Sequence, residues 1–137
     1  AAIGREQLKR LPEIVSRRRA LAARYQERLA TVPGLRIPSE PDWARTNWQS
    51  YAVRVEAGRQ RQIMQRLLDG GISTRRGVMN AHREAAYPDA TWRASGSLRE
   101  SEGAQETAIV LPLFHQLTET DQDRVIEELT RAAGARP

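Results

Sequence analysis
The sequence predicts an α/β fold of the α+β kind: a two-layer domain in which helices pack on one small sheet of about three strands. Three observations carry that expectation. Apolar residues recur at helical spacing near both ends of the chain, two short stretches between them alternate or run apolar at strand length, and breaker pairs such as Pro33-Gly34 and Gly70-Gly71 separate the segments. The 137 residues are expected to form a single domain, 1–137, and a domain of this size buries roughly two-thirds of the surface it exposes when unfolded.

Leu8, Leu11, Val15, Ala22, Tyr25 and Leu29 fall on one stripe of a long helix over residues 1–32, interrupted by Arg18. Pro12 has no amide to donate, so the helix either restarts there or continues with a kink; the unbroken phase of the stripe favours the kink. Residues 35–47 read as an irregular connector. Over residues 48–56 Tyr51, Val53 and Val55 alternate with Ala52, Arg54 and Glu56, which is the period of a half-buried strand. Ile63, Met64, Leu67 and Leu68 share one face of a helix over residues 59–68, and Gly70-Gly71 ends it. A short strand at 72–74 and a long loop over 75–99 follow. A short helix at 100–107 leads to the apolar run 108–113, read as a strand buried on both faces. Thr118 and Asp121 then fit a capping pattern for a last helix whose inner face holds Val125, Ile126 and Leu129.

The balance of charge excludes little by itself. Residues 1–31 carry eight arginines and lysines against three acids, and the rest of the chain is balanced, so the whole net charge of +5 lies at one end. A basic arm for nucleic acid is one reading of this end, but its charges surround an apolar stripe that needs packing, so no nucleic-acid partner is expected. Without cysteine, and with only His82 and His115, neither a disulfide framework nor a metal centre is expected. No apolar run reaches membrane length, so no membrane partner is expected and a cytoplasmic location is.

Few residues stand out for chemistry. Arg75 and Arg76 follow Gly70-Gly71-Ile72-Ser73-Thr74 and present adjacent guanidiniums that suit a carboxylate or a phosphate. Two solvated arginines on a turn, or a structural ion pair from Arg75 to Asp69 or Glu84, is the plainer alternative. His82 lies in the long loop, either touching substrate or facing solvent. His115 reads as a turn residue, and Trp43, Trp48 and Trp92 as core or interface packing.

Four blocks, taken together, resemble the DegT/DnrJ/EryC1/StrS family of sugar aminotransferases. They are the opening Ala1 to Leu8 with Leu11 and Arg17-Arg18-Arg19; Trp48-Gln49-Ser50-Tyr51-Ala52-Val53-Arg54-Val55; Gly71-Ile72-Ser73-Thr74-Arg75 with His82 and Tyr87; and Leu111-Pro112-Leu113 followed by Leu117-Thr118 and Asp121-Gln122-Asp123. They stand in the family's order from residue 1 to about residue 130. Gly77 and Val78 replace a histidine and an aromatic common in the family, and Asn80-Ala81 replace a Pro-Leu pair.

The resemblance implies the C-terminal small domain of a fold-type I pyridoxal-phosphate enzyme, with residues 1–32 as an interdomain helix and residues 48–137 as sheet and helices. It implies a function in transferring an amino group from glutamate to a nucleotide-linked keto sugar, in a homodimer. It also implies that Arg75, His82 and Tyr87, with Arg76 as a helper, face substrate. The family's cofactor lysine and phosphate-binding groups precede its small domain, so pyridoxal phosphate is expected to be bound mainly by that larger domain and no catalytic residue is expected in this chain. Lys9 is the only lysine, on an arginine-rich helix where nothing desolvates it. A dehydratase of the same family, a basic nucleic-acid-binding arm and a non-catalytic interaction domain remain as alternatives.

Overall fold
The computed structural model describes residues 2–87 and 92–135. Helix α1 (Ala2–Leu29) leads through an irregular segment to strand β1 (Tyr51–Arg54), helix α2 (Gln60–Asp69) and the two-residue strand β2 (Arg75–Arg76). A single 3₁₀ turn (Ala81–Arg83), helix α3 (Arg99–Thr107), strand β3 (Ala108–Leu111) and helix α4 (Glu119–Gly134) complete it. The sheet runs in the order β1-β3-β2 and is antiparallel throughout. This is the α+β fold of three strands that the sequence predicts.

β3 lies in the middle of the sheet, which is why its sequence is apolar without interruption: Ala108, Ile109 and Leu111 are buried. β1 pairs Tyr51 with Leu111 and Val53 with Ile109, so the buried side chains of both strands share one face. Helices α2 and α4 pack together beside that face and bring Ile63, Leu67, Val125, Ile126 and Leu129 into one core with Leu21, Tyr25 and Leu29 of α1. Thr118 caps α4 as expected, accepting from the amide of Asp121. Gln122 is fully buried beneath α1 and donates to the carbonyl of Leu21 at 2.7 Å.

Several sequence expectations are corrected. α1 runs on through Pro12, as the phase of its stripe favours, but the stripe is buried only in its second half: Leu21, Ala22, Tyr25 and Leu29 are core, whereas Leu8 and Leu11 are exposed. On α2 the inner face is Ile63 and Leu67, with Met64 at its margin; Leu68 is exposed. The strand at 48–56 shrinks to Tyr51–Arg54, since Trp48 has a φ of 50°, outside the extended region. The strand at 72–74 moves to Arg75–Arg76: Gly71, with a φ of 76°, turns the chain after α2, and Ile72 is spent in the core before any pairing begins. Of the tryptophans, Trp48 packs in the core, but Trp43 is exposed and Trp92 lies on the surface.

The basic end of the chain also acquires an explanation. Arg17 donates to the carbonyl of Leu117, Arg18 to those of Trp48 and Gln49, and Arg19 to Thr46 and Glu40. Arg24 and Arg28 converge on Asp123 of α4. These guanidiniums staple α1 to the rest of the domain, which leaves them poorly placed to follow a phosphate backbone.

Candidate functional site
Arg75 and Arg76 are neighbours in sequence and separate in space. The register sets Arg75 beside Val110 and Arg76 beside Ile109, so their side chains leave opposite faces of the sheet. Arg75 lines a small notch of about 190 Å³ with Gln49, Ser50, Ser73, Thr74 and the segment Val110–Leu113. Arg76 lines a groove of about 730 Å³ against α2, with Arg61, Met64 and Leu68. Among the described residues neither arginine forms a salt bridge, so the ion pair of Arg75 with Asp69 or Glu84 is not made.

His82 sits in the 3₁₀ turn and does not simply face solvent: its side chain is 13% exposed, and Nε2 lies 2.9 Å from Oε1 of Glu102 on α3. The ring of Trp92 packs against the imidazole with centroids 5.0 Å apart. Arg83 reinforces the attachment by bonding Glu106 at 2.8 Å, and Asn80, itself buried, donates to the carbonyl of Ser101 at 3.0 Å. The loop is therefore anchored to α3 by three side chains, those of Asn80, His82 and Arg83. Tyr87 is exposed and lines, with His82, Glu84, Trp92 and Glu102, an open cavity of about 500 Å³. Of the four predicted residues the structure brings His82 and Tyr87 together and leaves Arg75 and Arg76 in two other depressions.

A third feature lies at the entrance to β1. The segment from Thr46 to Gln49 is fixed from several sides: the Thr46 amide donates to Glu40, the Trp48 amide to Thr46 Oγ1 and the Gln49 amide to Asn47 Oδ1. Arg18 Nη1 reaches the carbonyls of both Trp48 and Gln49, at 3.3 Å and 2.7 Å. Beneath it Trp48, Tyr51 and Tyr25 form an aromatic stack, with the Tyr25 hydroxyl donating to the carbonyl of Pro112. Burial raises the pKa of both tyrosines, and in Tyr25 the neighbouring Tyr51 adds to the shift, so the phenols stay protonated.

Sequence reasoning missed Glu102, Gln49 and Ser50. Glu102 pairs with a histidine twenty positions away, which no motif spacing announces, although Glu100, Glu102 and Glu106 opposite His82-Arg83 form a complementary charge pattern. His115 occupies a turn, as expected. Lys9 is 67% exposed and paired with Glu6 at 2.7 Å. Among the described residues no group of acids and histidines is arranged to hold a metal, and no helix is long and apolar enough to cross a membrane.

Known proteins resemble the chain along nearly its whole length. The dTDP-4-dehydro-2,3,6-trideoxy-D-glucose 4-aminotransferase of Saccharopolyspora spinosa is 32% identical over 133 residues, which cover 96% of this chain and 33% of that protein. The structure of the aminotransferase TlmJ from Streptoalloteichus hindustanus matches 95% of this chain and 34% of its own, with a TM-score of 0.85 at 37% identity. S. venezuelae DesV, solved in complex with a ketimine intermediate, matches 99% of this chain and 36% of its own, with a TM-score of 0.88 at 28% identity. The chain thus spans about a third of the length of these relatives. The profile of the DegT/DnrJ/EryC1/StrS aminotransferase family matches residues 1–130, and with helices, sheet and sequence blocks in accord over that whole range, the chain belongs to this family.

Proposed function
We propose that the chain forms the substrate-side wall of an aminotransferase that moves an amino group from glutamate to a keto sugar carried on a nucleotide diphosphate, in the cytoplasm. The observation that carries this reading is the placement of Arg75, without a salt bridge among the described residues, beside an open notch on the strand that leads into the loop holding His82 and Tyr87 around a separate cavity. A relative named for a dTDP-linked keto sugar supports the substrate class.

Each residue has a distinct part. Arg75 offers two parallel N–H donors that match a carboxylate or phosphate edge, which a lysine cannot reproduce. His82 points Nε2 at Glu102, and a carboxylate there favours the tautomer protonated on Nε2. Nδ1 is then the acceptor, free to take a hydrogen bond from a sugar hydroxyl. Trp92 closes one side of the imidazole, and Tyr87 adds a hydroxyl at the rim. Arg76, on the other face, serves substrate only at a distance from these groups.

Pyridoxal phosphate supplies the electron sink that transamination needs and is held through a lysine. The residues present do not fit that requirement, because the single lysine is solvated and already bonded to both oxygens of Glu6. The cofactor lysine would belong to the part of the relatives' length that this chain does not span, and no catalytic residue is assigned here. The exposed apolar positions Ile3, Leu8 and Leu11 would meet that larger domain or a second subunit of a homodimer.

The test is amino transfer from glutamate to a dTDP-linked 4-keto sugar by a protein carrying this chain on the family's larger domain. Arg75→Lys and His82→Ala should each lower kcat/KM at least about tenfold with cofactor content and melting temperature unchanged. Wild-type kinetics in both variants, or loss of activity only through unfolding, would refute the assignment.

A further inference from the structure
Trp48 is the one non-glycine residue with a positive φ among the described residues, at 50°, and a bulky side chain pays for the left-handed region in steric energy. Such backbone persists where its surroundings over-determine it, and around Trp48 they do. Arg18 Nη1 donates to the carbonyls of both Trp48 and Gln49 from one side, the Thr46 and Asn47 side chains cap the amides of the same two residues, and the Trp48 ring is buried against Tyr51. Continued strand alternation would turn Gln49 rather than Trp48 to the face of Tyr51 and Val53, so the turn is what admits the Trp48 ring to the core. The turn also aims the next two side chains outward: Gln49 and Ser50 are exposed and line the notch opposite Arg75.

The chemistry of that notch is one-sided. Ser50 Oγ donates to Gln49 Oε1 at 2.6 Å, which occupies the amide's acceptor and leaves its Nε2 hydrogens free. Arg75 adds a guanidinium with no carboxylate partner among the described residues, and Ser73 and Thr74 add hydroxyls, while no acid lines the notch. Donors on two walls and about 190 Å³ between them suit the oxyanion head of a small ligand rather than a whole nucleotide.

We propose that Gln49 and Arg75 form a two-walled oxyanion clamp, for a carboxylate or a phosphate group, and that Arg18 is its positioning residue, holding Gln49 in place through the strained turn at Trp48. The proposal rests on the reading of Arg75 as an anion-binding group and adds the opposite wall and the device that sets it.

The experiment is titration of the chain with inorganic phosphate and, separately, with glutarate, following the backbone amides of Gln49, Ser50, Thr74 and Arg75 by NMR. Saturable shifts with either anion are expected; which of the two binds more tightly tells a phosphate clamp from a carboxylate clamp. Gln49→Ala and Arg75→Lys should each weaken binding about tenfold, and Arg61→Gln, in the separate groove, should not. Arg18→Lys keeps the charge but carries its nitrogen one bond short of the position of Nη1; it should shift the free Gln49 and Ser50 amides and weaken binding by a similar factor. A lowered melting temperature with wild-type affinity in Arg18→Lys would reduce Arg18 to a structural role and overturn its part. The absence of saturable shifts with both anions, or equal binding by Arg75→Lys, would overturn the clamp. Because the readout is binding and not turnover, either failure leaves the aminotransferase reading standing, and an inactive longer protein would leave the clamp standing.

Discussion

The two halves of α1 carry the same apolar periodicity and meet opposite fates. From Leu21 to Leu29 the stripe is buried against α4 and the β1 face, and the flanking Arg24 and Arg28 are tied to Asp123. From Ile3 to Leu11 the stripe is open to solvent, with Ile3 81% and Leu8 65% exposed. Helix periodicity thus reports that a face is destined for burial, but not by what. In the back half the partner lies within the chain; in the front half none of the described residues covers it. Pro12 marks the boundary. Its missing amide leaves the carbonyl of Leu8 without a helical donor, which costs little where that carbonyl is solvated and would cost more in the packed half.

The largest effect that separates the halves is expected at Tyr25. Its ring fills the space between α1 and β1, 5.0 Å from Tyr51, and its hydroxyl is satisfied by the Pro112 carbonyl at 2.9 Å. Tyr25→Ala should cost about 3–5 kcal/mol through the lost contacts and the cavity left behind. Urea unfolding followed by far-UV circular dichroism measures this, and a cost below about 1 kcal/mol would mean that the back half is not packed as described.

A smaller effect should appear with alkali. Tyr25 and Tyr51 have folded-state pKa values raised by burial, so the unfolded chain releases these protons first as pH rises. Their contribution is complete below the unfolded value of about 10 and declines above it, at up to about 1.4 kcal/mol per pH unit for each phenol. Tyr25→Phe should lose about 1 kcal/mol at neutral pH, where the hydrogen bond to Pro112 is missing, but fall less steeply above pH 10. Unfolding midpoints measured across that range test the sign; a parallel decline in both proteins would place the alkaline sensitivity elsewhere than at Tyr25.

The fold was largely legible because its signals are local. The period-2 run of β1, the apolar run of β3, the Thr118 cap and the Gly70-Gly71 stop are each decided by a few neighbouring residues. What the sequence concealed depends on side chains meeting across long separations. Arg17, Arg18 and Arg19 stand in the sequence only as surplus charge on a helix and prove to be staples, because the carbonyls they reach lie about thirty to one hundred positions away. Glu102 behind His82 is hidden for the same reason. The pair Arg75-Arg76 reads as one forked site, yet strand alternation sends the two apart once β2 begins at Arg75 and not at residue 72. A register error of three residues was enough to misplace them, since alternation inverts at every step.

The smallest effect on stability, and the sharpest test of the comparison, is expected at Leu8. Within the chain its side chain is already solvated, so Leu8→Asp removes no buried contact, and the new carboxylate, one turn from Arg5 and next to Lys9, introduces no like-charge conflict with them. The unfolding free energy should therefore change by less than about 0.5 kcal/mol, in contrast with Tyr25→Ala on the same helix. Self-association is a different matter. Ile3, Leu8 and Leu11 offer apolar surface that a second copy could cover, and a charge at its centre would have to be desolvated on contact. Sedimentation velocity over a range of concentrations should show the wild-type chain associating weakly and Leu8→Asp remaining monomeric. If Leu8→Asp destabilises the chain as much as a core substitution does, the front half is packed after all, and the contrast between the two halves of α1 fails.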